Sequence, residues 1–360
     1  MKAIIAAGGK GTRLYPLTFT SNKHMLPIAN KPLLLYPFES IVELGIKEIG
    51  VVVNDTRPAI EALLGDGSAW GVKVTYIDQP VAKGLAHVVK ISEDFIDGDS
   101  FVYHLGDNIF TKGIKKPYQK FVETHADALL TVIEHSDNYR MGVPFFDDEG
   151  KLIQVVEKPE TPPNKFGIPG LYMFGPKVFE AFQGKDAIQP SPRGELEIVD
   201  LYNYMLKKGR NIEVAELEGQ WRDPGKFNDS LETNRLLMEL SGENKIEGEV
   251  DGDSKIGSGV IIEAGAKVIN SQIPGPARIG KNVEVRNSYV GPYTSVGEDS
   301  EIVNSKVENS IILPDVHITD VRGKITTSMI GKHTEINHNR DSEPEYSFMI
   351  ADHCRVDLPL

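Results

Sequence analysis

The sequence predicts an α/β domain built on a doubly wound, Rossmann-like mixed sheet, followed by a left-handed parallel β-helix. Three observations carry this expectation. Up to about residue 217, β-rich apolar runs alternate with helical patterns, as in strands joined by crossover helices. After residue 245 helical periodicity stops and aliphatic residues recur six apart. A helical pattern at 229–240, with Leu231, Leu236, Leu237 and Leu240 on its apolar positions and Ser241-Gly242 as its stop, separates the two textures. The expected domains are therefore 1–240 and 245–355.

The first apolar run, Ala3-Ile4-Ile5-Ala6-Ala7, reads as a buried strand and leads straight into Gly8-Gly9-Lys10-Gly11-Thr12-Arg13. A glycine-rich turn after a strand lets backbone N–H groups approach a phosphate with no side chain in the way. It is not a P-loop, because G-x-x-x-x-G-K-[ST] is not met, and Leu14 stands where the dinucleotide fingerprint G-x-G-x-x-G needs its last glycine. A ligand-free tight turn is the plain alternative. Arg13 inside the turn and Lys23 ten residues on argue against it, since two cations beside backbone donors suit a triphosphate.

Pro37 then opens a helix with Phe38, Ile41 and Val42 on one face and Gly45 as its stop. Strands follow at 49–54, 72–78, 101–105 and 129–134. Those at 152–156, 170–174 and 212–217 come without full helices between them, so the later part of the sheet is expected to be mixed. Beyond residue 245 the recurrences are Ile256-Ile262-Val268, Ile279-Val285, Val290-Val296-Ile302, Ile312-Ile318 and Ile330-Ile336. Three such faces make one triangular coil, with the aliphatic inward and small residues at the corners, a hexapeptide repeat. Steps of five at 285–290 and at 302–307–312, and the run Pro274-Gly275-Pro276, read as breaks in the register. A plain β-sandwich is the weaker alternative.

Composition narrows the function. No apolar run reaches the ~18 residues that a membrane helix needs. Against 52 acidic residues stand 39 basic ones, and a net charge of −13 repels a nucleic-acid backbone. The single cysteine, Cys354, allows no internal disulfide and no cysteine metal cluster. Only five apolar residues precede the glycines, too few for a signal-peptide core, so a cytoplasmic protein is expected.

Two carboxylates sit where ligands bind in open α/β sheets. Asp107, in "HLGDN", follows a strand directly, and Asp223, in "WRDPG", stands beside another expected strand end. Either alone reads as a turn or cap residue. Together they can hold one hard cation while phosphate oxygens complete its octahedron. Lys158 in "EKP" and Arg193 in "RGELE" add cations near strand ends, with ordinary surface solvation as the alternative.

In order and spacing, GGKGTRLYPLT, Lys23, Pro27, Lys31-Pro32, QPVAKGLA at 79–86, LGDN at 105–108, EKP at 157–159, GLY at 170–172, RGELE at 193–197 and W-x-D at 221–223 resemble the sugar-1-phosphate nucleotidyltransferases, and most of all the long-form glucose-1-phosphate thymidylyltransferases with a C-terminal β-helix. The resemblance implies roles residue by residue. Gly8, Gly9, Gly11 and Thr12 would wrap the nucleotide, with Arg13 on the departing pyrophosphate and Lys23 on the reacting phosphates. Gln79 would bond the pyrimidine edge and Gly84 would make room for the base. Asp107 and Asp223 would hold Mg²⁺. Asn108, Gly142, Glu157, Gly170, Tyr172 and Trp221 would line the sugar pocket, while Lys158 and Arg193 would grip its phosphate.

The implied reaction is in-line attack of glucose-1-phosphate on the α-phosphorus of dTTP, giving dTDP-glucose and pyrophosphate. UTP remains an alternative donor, and the departures from the family pattern, at Tyr139-Arg140-Met141, Pro144, Pro169 and Pro224, all fall in the sugar half. A catalytically silent binding subunit of a regulatory complex shares this layout, but Arg13, Lys23, Asp107 and Asp223 are all in place, which favours an enzyme. A second, acyltransferase activity in the β-helix would use His317, His333 or His338 as base; no coenzyme A motif accompanies them. The exposed flank of a β-helix makes a homo-oligomer the expected assembly.

Overall fold

A computed structural model describes residues 1–9, 11–242 and 244–338. The expected end of the second domain, 339–355, and with it Cys354, lies outside the described residues. By contact the chain forms two compact units. One comprises Met1–Gly9 and Leu34–Arg222, the other Lys10–Leu33 and the chain from Asp223 onward.

The first unit is built on a mixed sheet of eight strands: β1 Lys2–Ala6, β2 Glu48–Val53, β3 Lys73–Asp78, β4 Phe101–Leu105, β5 Ala128–Glu134, β6 Phe166–Gly167, β7 Leu171–Phe174 and β8 Ile212–Glu216. Their order is β6-β5-β7-β4-β1-β2-β3, with β8 also paired to β5. β1 runs parallel to β2 and β4, and β2 parallel to β3, whereas β7 lies antiparallel between β4 and β5. The mixed character expected after residue 150 is thus that of β6 and β7. Both sheet faces are covered, which is why β1, β2 and β4 read as near-continuous apolar runs. Ile5, Val51, Val102 and Leu129 pack on one face with Phe38 and Ile41, and Ile4, Val52, Tyr103 and Leu130 on the other with Val89 and Tyr202. Those partners come from helices α1 Leu35–Glu43, α3 Leu85–Ile91 and α5 Ile198–Lys207, and α2 Arg57–Leu64 and α4 Lys115–Thr124 add Ile60, Leu64 and Phe121 to the first face. Because β1 to β4 are mutually parallel, Gly8, Asn54, Gln79 and Asp107 follow them at one sheet edge.

In the second unit α6, Phe227–Leu240, leads into a left-handed β-helix of short parallel strands in three ladders. Ile262, Val268, Ile279, Val285, Val290, Val296, Ile302, Ile312 and Ile318 are all buried in one core, as the six-residue spacing requires. The steps of five fall at two corners. Val268 to Ile273, Val285 to Val290 and Ile302 to Val307 cross the same corner in three successive coils, so that side is one residue shorter in each of them, whereas Val307 to Ile312 turns another corner, which Ile273–Ile279 and Val290–Val296 turn in six. The first of these corners is held by a polar stack. Asn270, Asn287, Asn304 and Asp320 all adopt positive φ, and each asparagine Nδ2 donates to the Oδ1 of the next residue at 2.8, 3.1 and 2.7 Å. Asparagine and aspartate tolerate this conformation better than other side chains that bear a Cβ. Pro274-Gly275-Pro276 turns a different corner, between Gln272–Ile273 and Ala277–Ile279, without ending the stack.

Candidate active site

In the first unit, the end of β1 is fixed by the loop after β2. Asn54 Nδ2 donates to the Gly8 carbonyl and Thr56 Oγ1 to that of Ala7. Gln79, directly after β3, is 7% exposed, and its Nε2 donates to His87 Nδ1 at 2.9 Å. Burial, helped by Lys83 and Lys90, pushes the His87 pKa below its usual value, so the ring stays neutral and keeps an acceptor for that bond. The amide oxygen of Gln79 is thereby turned toward Gly8, where a Cβ would lie 3.7 Å away. Gly84 has φ 94°, and a Cβ there would meet the Leu196 carbonyl oxygen at 2.4 Å. Its glycine character answers first to that close backbone approach, which continues in Leu196 N–H to Lys83 O at 2.8 Å.

Asp107 and Asn108 follow β4. Asn108 Nδ2 donates to Asp107 Oδ1 at 2.7 Å, and Asn108 Oδ1 accepts from Trp221 Nε1 at 2.6 Å and Gly170 N–H at 3.2 Å. One buried amide therefore gathers Asp107, Gly170 and Trp221, three residues that the motifs place far apart in the chain. Glu157 pairs with Gly142 across an antiparallel hairpin. Its carboxylate receives Lys158 Nζ at 3.1 Å and Arg193 Nη2 at 3.5 Å. Arg193 is in turn held by Glu197 at 2.8 Å, a bond that raises its pKa, and Ser191 Oγ donates to the same carboxylate oxygen at 2.7 Å. Glu157, Lys158 and Arg193 thus form one cluster with two cations, as a phosphate grip needs. Tyr172 is instead a core residue, 3% exposed against Tyr103, its hydroxyl held un-ionised by burial and by the charges of Glu157 and Asp107.

In the second unit, Gly11 (φ 64°) caps a short 3₁₀ turn, Thr12–Leu14, and a Cβ there would lie 2.8 Å from Lys23 Cβ. Thr18 Oγ1 donates to the Gly11 carbonyl at 2.8 Å. Lys23 begins a second 3₁₀ turn capped by Asn22, whose side chain accepts from His24 N–H at 2.9 Å. The Lys23 side chain is only 5% exposed, and its ammonium reaches Asp223 Oδ1 at 2.9 Å. Arg13 approaches the other oxygen at 3.9 Å from a side chain that is 59% exposed. Arg13, Lys23 and Asp223 therefore converge, while Thr12 stays at the exposed surface.

Sequence reasoning did not find Asn54, His87 or Glu197. Asn54 and His87 act through partners from other elements, which nothing in local spacing marks, whereas Glu197 lies four residues after Arg193, a spacing within the RGELE motif that could have found it. In the β-helix, both nitrogens of His317 face carboxylates, Glu301 at 3.3 Å and Asp315 at 3.3 Å, which raises its pKa. His333 is bound to Asp315 as well, at 2.5 Å.

Comparison with known proteins agrees with this layout. The nucleotidyl transferase family profile matches residues 2–239. A glucose-1-phosphate thymidylyltransferase of Streptomyces griseus is 40% identical over 358 residues, covering 99% of each chain. The UTP-glucose-1-phosphate uridylyltransferase AglF of Haloferax volcanii is 37% identical over 241 residues, covering 66% of this chain and 97% of its own. A crystal structure assigned as a glucose-1-phosphate thymidylyltransferase from Bacillus anthracis, with sucrose bound, superposes with a TM-score of 0.61 at 34% identity, over 66% of this chain and 94% of that one. Signature turn, strand-end carboxylate and cation clusters all fall inside the matched region, and the chain belongs to the nucleotidyl transferase family.

Proposed function

We propose that this enzyme transfers the thymidylyl group of dTTP to glucose-1-phosphate, releasing pyrophosphate. The observation that carries the reading is the Lys23 ammonium, almost fully buried and ending on Asp223 with Arg13 beside it. A buried cation is costly unless it has a use or a partner, and polyphosphate chemistry offers both. The full-length likeness to the Streptomyces griseus thymidylyltransferase supports the same donor and acceptor.

The nucleophile is a phosphate dianion at neutral pH, so no general base is required, and the main barrier is repulsion between two polyanions. Arg13 and Lys23 offset charge on the triphosphate, with Gly8, Gly9, Gly11 and Thr12 offering backbone donors to it. Gln79, its amide held by His87, accepts from the ring N–H of a thymine or uracil. Lys158 and Arg193 receive the sugar phosphate, beside Glu157, Gly142, Asn108, Gly170 and Trp221. Among the described residues no three His, Cys, Asp or Glu side chains cluster as a ready metal site; Asp107 and Asp223, to which the family resemblance gives the metal, carry the hard carboxylate oxygens that Mg²⁺ takes alongside phosphate oxygens. Bound there, Mg²⁺ would neutralise part of the triphosphate charge.

The Haloferax volcanii relative favours a second reading in which UTP is the donor. The two donors differ by one methyl and one hydroxyl, and a methyl in an apolar pocket is worth only about 1–3 kcal/mol. Scoring pyrophosphate release by kcat/KM for dTTP, UTP, ATP and GTP against several sugar-1-phosphates decides between them. The highest value is expected for dTTP with glucose-1-phosphate, and no release with any pair would refute the reading. No helix among the described residues is long and apolar enough to cross a membrane. A nucleoside triphosphate substrate supports a cytoplasmic site of action. The edge strand Lys245–Ile246, with Ile246 45% exposed, supports self-association into a homo-oligomer.

A further inference from the structure

The segment that bears Arg13 and Lys23 also carries a small hairpin, Pro27–Ile28 with Lys31–Pro32, joined by the two residues Ala29 and Asn30. Both have positive φ, 51° and 62°. Two-residue turns of this hand favour Asn-Gly or Gly-Gly, and alanine is disfavoured in the first position because its Cβ crowds the following carbonyl. The hairpin sequence alone does not favour this geometry, so bonds from outside must hold it.

Those bonds come from α6 and the β-helix. Ala29 N–H donates to Asn234 Oδ1 at 2.7 Å, and Asn30 Nδ2 donates to the Val296 carbonyl at 2.8 Å. Asn234, 0% exposed, donates through Nδ2 to the Tyr293 carbonyl at 3.0 Å and accepts from Ser295 Oγ at 3.2 Å. The coil 293–296 is thereby the reference to which the turn is fixed. From the turn the geometry passes to Lys23 by two backbone bonds, Leu33 N–H to Leu26 O at 3.1 Å and Leu26 N–H to Lys23 O at 3.1 Å. It passes to Asp223 along α6, whose Ser230 Oγ donates to Pro224 O at 3.2 Å. Both ends of the Lys23–Asp223 ion pair are therefore referred to one buried amide.

We propose that Asn234, together with Asn30, is a positioning residue for nucleotidyl transfer, and that the β-helix coil 293–296 serves as the template that sets Lys23 against Asp223. The inference rests on the reading of Lys23 and Asp223 as residues of the reaction. A displacement of about 1 Å in such a group can lower turnover on the order of a hundredfold with little change in substrate binding.

The test measures kcat, KM and Tm in the full-length enzyme for Asn234→Ala, Asn30→Gly, the double variant Ala29→Gly/Asn234→Ala, and Lys23→Ala, assayed well below each Tm. Asn30→Gly keeps the left-handed conformation and removes only the donor to Val296, so it stays informative if Asn234→Ala does not fold. Asn234→Ala and Asn30→Gly are expected to lower kcat by about tenfold or more with KM nearly unchanged. Ala29→Gly should restore a good part of the kcat lost in Asn234→Ala, because a glycine adopts the turn without the clamp. That rescue would not follow from a general loss of stability. Turnover within about twofold of the parent in both Asn234→Ala and Asn30→Gly, or a raised KM at constant kcat, overturns the positioning role while Lys23→Ala remains inactive. Normal turnover in Lys23→Ala instead overturns the underlying site assignment, and the inference with it.

Discussion

Protonation of His104 should weaken the fold by roughly 3 kcal/mol, an effect that can be isolated by titration. The imidazole lies in β4, 1% exposed, with Nδ1 donating to the Leu105 carbonyl at 2.8 Å and the ring edge-on to Phe110 at 5.2 Å. Burial lowers its pKa from 6.5 to about 4, against the opposing pull of the Leu105 carbonyl and the Asp107 charge. Each pKa unit is worth about 1.36 kcal/mol, so the gap corresponds to roughly 3 kcal/mol. The sign follows from which state takes the proton first. Above pH 6.5 the ring is neutral in both states and contributes nothing to the pH dependence. As pH falls from 6.5 to about 4 the unfolded chain is protonated while the native ring is not, so stability declines through that window and levels off below it. Urea unfolding of the parent and His104→Gln at pH 7, 5.5 and 4 gives the difference directly. The parent's advantage over the variant should shrink by roughly 3 kcal/mol between pH 7 and pH 4. Parallel pH profiles would refute the assignment of a neutral, buried imidazole three residues ahead of Asp107.

Lys23→Ala and Asp107→Asn should each lower kcat by about a hundredfold or more, the usual cost of removing a fixed electrostatic contact, and steady-state pyrophosphate release measures it. His87→Phe leaves Gln79 Nε2 without its acceptor, so the KM for the nucleotide should rise by about tenfold with a smaller change in kcat; an unchanged KM would mean that the Gln79 amide is oriented by something else. Gly84→Ala forces a Cβ against the Leu196 backbone at a positive φ and should destabilise the fold by about 2 kcal/mol or more, visible as a lower Tm in calorimetry.

Much of this architecture is written in local pattern. Phe101–Leu105 occupies the run in which alternating apolar and aromatic residues announce a strand, and the hexad aliphatics from Ile262 to Ile318 are buried as their spacing demands. The side chains that follow strand ends were legible for the same reason, since a carboxylate or glutamine directly after a parallel strand has few other places to be. What escaped was pairing across long sequence separation. Nothing near Lys23 says that its partner is 200 positions away, nor does anything near Arg193 say that it would reach Glu157. The steps of five at 285–290 and 302–307 looked like damage because the period of one coil is only visible once three faces are counted together, while the step at 307–312 does shorten a side that the preceding coils make in six. Tyr172 stands in a motif whose neighbours reach the site, yet its own ring packs in the core against Tyr103, because both faces of its strand are covered, which the motif does not say.

A stack of coils loosens from its free ends, because each rung is held only by the rungs above and below it. The rung that receives Asn30, Thr294–Val296, is the fourth of six described in its ladder, flanked by paired rungs on both sides. Thermal fraying of the outermost turns therefore leaves that attachment intact, and heat should erode the end of the rod well before it slackens the lysine-bearing loop.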